Sequence, residues 1–168
     1  METVSLSPLS LNDCQALLDF ECRNKTWFEQ FIPPRPSGYF NLVGLTDATR
    51  ELVENQRTET HLMYVIYDGD KIVARANIHT IYDDHVEIGY RVCHEYLGKG
   101  IAKRALLALV EVCREQLELD YVVGKVSSGN QASIKVLESA GFAYQSKALN
   151  ATLIQGQHHD LLSYQLIL

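Results

Sequence analysis

The chain has 168 residues, 46% of them hydrophobic and 21% charged, with a formal net charge of −6; this suits one domain with a real core and argues against disorder. The acidic balance weighs against a nucleic-acid binder, and no apolar run is long enough to cross a bilayer, so neither nucleic acid nor membrane is an expected partner. No basic-then-apolar leader opens the chain, and Cys14, Cys22, Cys93 and Cys113 lack Cys-x-x-Cys spacing, which together predict reduced thiols in a cytoplasm.

In chain order, residues 3–8 alternate Val4, Leu6 and Pro8 with polar residues and read as an opening strand. Ser10 and Asp13 make a capping-type start to a helix with Leu11, Cys14, Leu17, Leu18 and Cys22 at helical spacing. Cys14, Cys22 and Cys113 are expected to act as small apolar residues in helices. Pro33-Pro34-Arg35-Pro36-Ser37-Gly38 predicts a loop over 32–45, and 46–60 resumes as a polar helix with Leu52 and Val53 inward. Strands over 61–67 and 71–82 flank Asp68-Gly69, a hairpin signal.

A third strand, 85–92, puts Val86, Ile88, Tyr90 and Val92 on one face and His85, Glu87, Gly89 and Arg91 on the other. The stripe Ala102, Ala105, Leu106, Leu109, Val110 and Cys113 predicts a helix over 98–117. Residues 121–126 read as a strand deep in a sheet, and 130–140 as the last helix. Residues 142–153 and 161–168 form a closing hairpin around Gln155-Gly156-Gln157-His158-His159. One mixed α/β domain over 1–168, without repeat or linker, is the expected organisation.

Two motifs carry chemistry. Tyr96-Leu97-Gly98-Lys99-Gly100-Ile101-Ala102 joins a strand end to a helix start. Two glycines there let backbone approach a ligand, and the first helical turn offers unpaired amides that suit phosphate. Gly-x-Gly alone also fits a plain connecting loop. The second motif, Asn130-Gln131-Ala132-Ser133, opens the last helix, which ends at Gly141-Phe142. Asn130 and Ser133 there fit helix capping as well as ligand binding.

In this order and spacing, the two motifs resemble the GNAT superfamily of acetyl-coenzyme-A-dependent N-acetyltransferases. The match is closest to the branch that acetylates the N-termini of ribosomal proteins. Ile88-Gly89-Tyr90 before the loop, Gly98 to Ala102 within it, and Asn130 to Phe142 after it carry the likeness, which is close over 85–142 and looser over nearly the whole chain. The departure is Glu95, where many members carry Arg or Gln. The resemblance implies a GNAT fold, a mixed, mostly antiparallel twisted sheet of about six to seven strands with helices on both faces.

It also implies acetyl-CoA as cosubstrate, with Val92, Leu97, Gly98, Lys99, Gly100, Ile101, Ala102, Asn130 and Ser133 as its contacts. Lys103 and Arg104 are further candidates for phosphate charge. Ser133 is then the candidate acid for the departing thiolate. Glu87, two residues before Gly89, is the candidate general base, or else an ordinary polar residue on a half-exposed strand. Since an α-amine has a pKa of ~7.7–8.0 against ~10.4 for lysine, a weak water-mediated base suffices for an N-terminal acceptor.

Trp27, Pro33 and Arg35 are expected to wall the acceptor site, or alternatively to form a core aromatic and a stiff connector. His158-His159 lacks partners at ligand spacing, so no metal is expected. No histidine at motif spacing would activate Cys93, and direct transfer is expected instead of an acyl-enzyme. The acceptor implied is the N-terminal amine of a ribosomal or similar protein, and the acidic net charge suits cationic acceptors. A small amine such as a polyamine, aminoglycoside or amino-acid derivative, or an idle acetyl-CoA-binding module, would share these motifs. Members of the superfamily commonly dimerise, which leaves a homodimer open.

Overall fold

The structure is a computed structural model and describes residues 5–168. Its strands are β1 (Ser7–Pro8), β2 (Leu62–Asp68), β3 (Lys71–Ile81), β4 (His85–Val92), β5 (Tyr121–Ser127), β6 (Ala143–Ile154) and β7 (Gln157–Ile167). They form one sheet in the order β1-β2-β3-β4-β5-β7-β6. Of the predicted first strand, Thr3 and Val4 lie outside the described residues. Every neighbouring pair is antiparallel except β4–β5. A parallel pair needs a crossover, and α3 (Ile101–Gln116) supplies it. The GNAT-type fold expected from the motifs is therefore the fold observed.

Helices cover both faces. On one, α3 and α4 (Gln131–Ser139) pack Ala105, Leu106, Leu109, Ile134 and Leu137 against Ala76, Ile78, Val86 and Ile88. On the other, α1 (Cys14–Phe28) and α2 (Leu42–Arg57) pack Leu17, Phe20 and Leu45 against Met63, Val65 and Ile72. Ser10 and Asp13 form the capping box ahead of α1: Ser10 N–H donates to Asp13 Oδ2 at 2.7 Å and Asn12 N–H donates to Ser10 Oγ at 3.2 Å. The stripe of α1 differs from the expected one. Leu11 is 45% exposed and Cys22 is exposed, while Glu21 and Asn24 are buried. A polar pair on a buried face is invisible to apolar periodicity; Cys14 and Cys113 are buried as expected.

Three boundaries shift for local reasons. The helix α2 begins at Leu42, inside the predicted loop, because Asn41 Oδ1 accepts from Gly44 N–H at 3.0 Å and caps it. Gly44 also lets α2 approach the preceding 3-10 turn (Ser37–Phe40), since a Cβ there would lie 1.9 Å from the Gly38 carbonyl oxygen. The helix α3 begins at Ile101 because Gly98 and Gly100 both sit at φ +73°, outside helical backbone. The closing turn is only Gln155-Gly156, so His158 and His159 belong to β7, opposite Leu153 and Thr152. Two residues suffice for a tight hairpin.

Farther along that hairpin the register slips, so that Leu149, Asn150 and Ala151 stand opposite Asp160 alone. The Asp160 carboxylate accepts from Asn150 N–H at 3.0 Å and from Lys147 Nζ at 3.5 Å, which fastens the bulge.

Candidate active site

The parallel pairing of β4 and β5 is short. It runs from His85–Tyr121 to Ile88–Gly124 and stops. From Gly89 to Val92, β4 has β3 on one side and no strand partner on the other, whereas β5 continues along β7. The gap leaves β4 backbone available to a ligand, and two cavities open into it.

The first, about 470 Å³, is lined by Val92, Leu97, Gly98, Gly100, Ile101, Ala102 and Lys103, with Asn130, Ser133 and Val136 opposite. A Cβ at Gly98 or Gly100 would meet nothing within 4 Å, so glycine is required there by φ and the space beside it is open. Ile101 to Ala102 begin α3, whose first amides lack intrahelical partners, and a diphosphate fits them. Acetyl-CoA therefore fits this loop. Of the candidate contacts, Lys99 and Arg104 do not line it: Lys99 Nζ lies 4.2 Å from the ring centroid of Tyr96, which itself donates to Asp68 Oδ2 at 2.6 Å, and Arg104 Nη2 donates to the Lys99 carbonyl at 3.0 Å.

Tyr90, Arg91, Asn130 and Ser133 line both cavities. At this junction Tyr90 Oη lies 2.9 Å from Ser133 Oγ and donates to the Ser133 carbonyl at 3.3 Å. Asn130 Oδ1 accepts from Ser133 N–H at 3.1 Å, so the same asparagine caps α4 and faces the gap. Burial pushes the Tyr90 phenol up to about 12, only partly opposed by the hydrogen bond with Ser133, and the hydroxyl stays a proton donor at neutral pH.

The second cavity, about 880 Å³, lies on the far side of the junction. Arg75, Asn77 and His79 alternate along β3 and all line it, opposite Gly89 and Arg91. Arg75 Nη1 donates to Glu21 Oε1 at 2.8 Å and Arg91 Nη1 to Glu21 Oε2 at 3.3 Å, so one carboxylate bridges two guanidiniums. Burial would raise the Glu21 carboxyl, but Arg91 and Arg75 outweigh it and hold it below the usual range. Burial, reinforced by Arg75 and Arg35 and opposed by Glu21, brings Arg91 down to about 10. Two buried polar atoms here, Arg75 Nε and Asn77 Oδ1, have no hydrogen-bond partner among the described residues.

His79 occupies a bulge: Ile78 pairs with Ile88 and Thr80 with Glu87, which leaves His79 unpaired and its ring 3.5 Å from where a Gly89 Cβ would be. Burial lowers the His79 pKa, against the raising effect of the nearby Glu87 charge and a hydrogen bond to the Ile88 backbone, so the imidazole is neutral at pH 7. Glu87 itself forms an ion pair with Lys125, is 13% exposed, and does not line either cavity.

Pro33 and Arg35 line the larger cavity, and Arg35 stacks over Tyr39 at 5.0 Å. Trp27 lies on the cofactor side instead, edge-on to Phe31 at 4.9 Å and to His94 at 4.8 Å. Tyr90, His79, Asn77 and the Glu21–Arg75–Arg91 cluster join the site without having been among the expected site residues. Tyr90 stood in the Ile88-Gly89-Tyr90 motif; the others carried no local signal. Among the described residues, no group of three or more His, Cys, Asp or Glu side chains could hold a metal ion, and no helix is long and apolar enough to cross a membrane.

Known proteins share this fold. The chain is 27% identical to YdaF of Bacillus subtilis strain 168, over 99% of its own length and 92% of the relative's. It is 25% identical to the ribosomal-protein-serine acetyltransferase of Escherichia coli K12, over 99% and 94%. The fold superposes on the ribosomal-protein-S5-alanine acetyltransferase of Vibrio fischeri with a TM-score of 0.93 at 23% identity, covering 99% of this chain and 94% of that one. A profile of the acetyltransferase (GNAT) domain matches residues 3–143, and the chain belongs to that family of N-acetyltransferases.

Proposed function

We propose that the chain moves acetyl from acetyl-CoA directly to the N-terminal α-amine of a ribosomal or similar protein, in a cytoplasmic setting that its four unpaired thiols suit. The observation that carries this reading is the Tyr90–Ser133 junction, where a glycine-loop cleft and a polar cavity meet in a gap of the sheet. The likeness to a ribosomal-protein-serine acetyltransferase over nearly the whole chain supports the acceptor class.

When bound, acetyl-CoA supplies the activated acetyl thioester. The amides from Gly98 to Ala102 and the Lys103 ammonium hold the diphosphate, and Asn130 orients the adjoining arm. Arg35, Arg75, Arg91 and Lys125 in the larger cavity disfavour a further positive charge, so they lower the pKa of an entering ammonium and favour its neutral form. Neutral His79 receives the proton lost from the amine, and Glu87 stabilises the resulting imidazolium through its charge. Tyr90 and Ser133 present hydroxyls to the departing sulfur. A phenol near 12 lies above an ordinary thiol at ~8.5, so its contribution is hydrogen bonding to the thiolate more than full proton transfer. Cys93 is buried and outside both cavities, consistent with direct transfer.

The test is acetyl-CoA-dependent thiol release with peptides beginning in Ala or Ser beside a panel of small amines. Release with peptides alone is the expected result. Release with small amines alone would move the acceptor to metabolites, and binding of acetyl-CoA without release from any acceptor would support an idle binding module.

A further inference from the structure

The whole chain carries −6, yet the larger cavity is lined by Arg35, Arg75, Arg91 and Lys125 with Glu51 as the carboxylate on its wall. Behind that lining, Glu21 answers both Arg75 and Arg91, and Glu87 answers Lys125. The cavity therefore keeps an excess of positive charge. Its deepest part concentrates that excess, because Arg75 and Arg91 are register partners across β3 and β4 with side chains 3% and 16% exposed. Two buried guanidiniums on one carboxylate leave donors to spare, since each carries five N–H groups. Arg75 Nε, buried and without a partner among the described residues, is one of them. The downward pull on Arg91 from burial and its cationic neighbours has the same origin.

Two residues along the strands, on the same face, the register pair is Asn77–Gly89, where Asn77 Oδ1 is buried without a donor among the described residues. An acceptor-seeking N–H belongs there, beside the gap and His79. Two residues along a strand span about 7 Å. The cavity thus offers a place for an amine and a place for an oxyanion about 7 Å apart. The α-carboxylate of a free amino acid is too close to its amine for that spacing, since one residue spans only about 3.5 Å. A carboxylate on the side chain of the residue after the N-terminus reaches it.

We infer that the acceptor carries an acidic side chain, Asp or Glu, at its second position, bound by Arg75 and Arg91 with Arg35 at the entrance. The inference rests on the N-terminal acceptor reading and names which N-termini are taken. Guanidinium forks suit carboxylates, and the same excess of charge disfavours polyamines and Lys-rich N-termini.

The experiment compares peptides identical except for Asp, Asn or Lys at the second position, with thiol release as readout. The Asp peptide is expected to exceed the Asn peptide about 30-fold in kcat/KM, with the Lys peptide lowest. In Arg35→Gln, on an exposed loop, the Asp-to-Asn ratio is expected to fall several-fold. Equal rates with the three peptides, or a preference for Lys, would overturn the inference while leaving the N-terminal acceptor standing. If peptides are inert and small amines react, the acceptor reading fails instead, and glutamate against glutamine then tests the oxyanion site alone. Calorimetric binding of the acetylated Asp and Asn peptides, with coenzyme A present, needs no turnover; tighter binding of the Asp product is expected, and equal binding would overturn the inference.

Discussion

The two cavities that meet at Tyr90 are built from different material. The cofactor cleft is made mainly of backbone: two left-handed glycines, the opening amides of α3, and a strand end without a partner. Its contacts come from a few consecutive residues. The acceptor cavity is made of side chains brought from α2, β3, β4 and the Pro33 loop, with Glu21 of α1 behind them in ion pairs between residues 54 and 70 apart in sequence. A backbone site tolerates change in its side chains, whereas a side-chain site changes its preference with each substitution. One fold can therefore keep its acetyl donor while its acceptor diverges.

Substitutions can break that contrast, beginning with the largest effect. Replacing Glu21 by Gln leaves two buried guanidiniums facing each other, and folding stability should fall by about 3–5 kcal/mol in chemical denaturation. A loss under about 1 kcal/mol would mean the cluster is not held as described.

At the junction, Tyr90→Phe and Ser133→Ala should each lower kcat by about 100-fold or less. The double variant should be little worse than the poorer single one, because the two hydroxyls act as a unit. Full multiplicativity in steady-state kinetics would show that they act separately.

Gly100→Ala tests the backbone site. An alanine at φ +73° costs about 1–2 kcal/mol. It should raise KM for acetyl-CoA several-fold and leave the preference among acceptors unchanged. A change in acceptor preference would erase the division between the cavities.

The smallest effect concerns pH. Glu87 raises the His79 pKa, so Glu87→Gln should move the acidic limb of kcat/KM to lower pH. An unmoved limb would remove the pair from the proton path. The same depressed imidazole gives a stability signature. The unfolded chain binds a proton at His79 more readily than the folded one, so stability should decline as pH falls through the ordinary histidine range near ~6.5. His79→Gln should flatten that decline in a pH series of melting curves.

How much of this was legible follows from the same contrast. The glycine loop, the capping Asn130 and the hydrophobic alternation are local patterns, and they place the cofactor cleft and the sheet. The start of α2 was missed because Asn41 caps it from within a proline-rich segment. Lys99 was assigned to phosphate by adjacency, although the Tyr96 ring draws it away. Trp27 was expected at the acceptor wall, yet one turn of α1 carries it to the cofactor side. Net charge suggested cationic acceptors, but tertiary contacts gather Arg35, Arg75 and Arg91 at one place inside an acidic chain. No window of sequence contains that cluster.

The sheet ends in two very different strands, and each limits the unbroken edge it presents. β1 has two residues and offers little ladder to another chain. β6 has twelve, with Tyr144, Leu149 and Leu153 exposed, a length and composition that invite edge-to-edge polymerisation. The three-residue bulge that Asp160 fastens at Asn150 interrupts that template halfway. Shortening the bulge to a flush ladder would lengthen the unbroken edge that β6 offers to another chain.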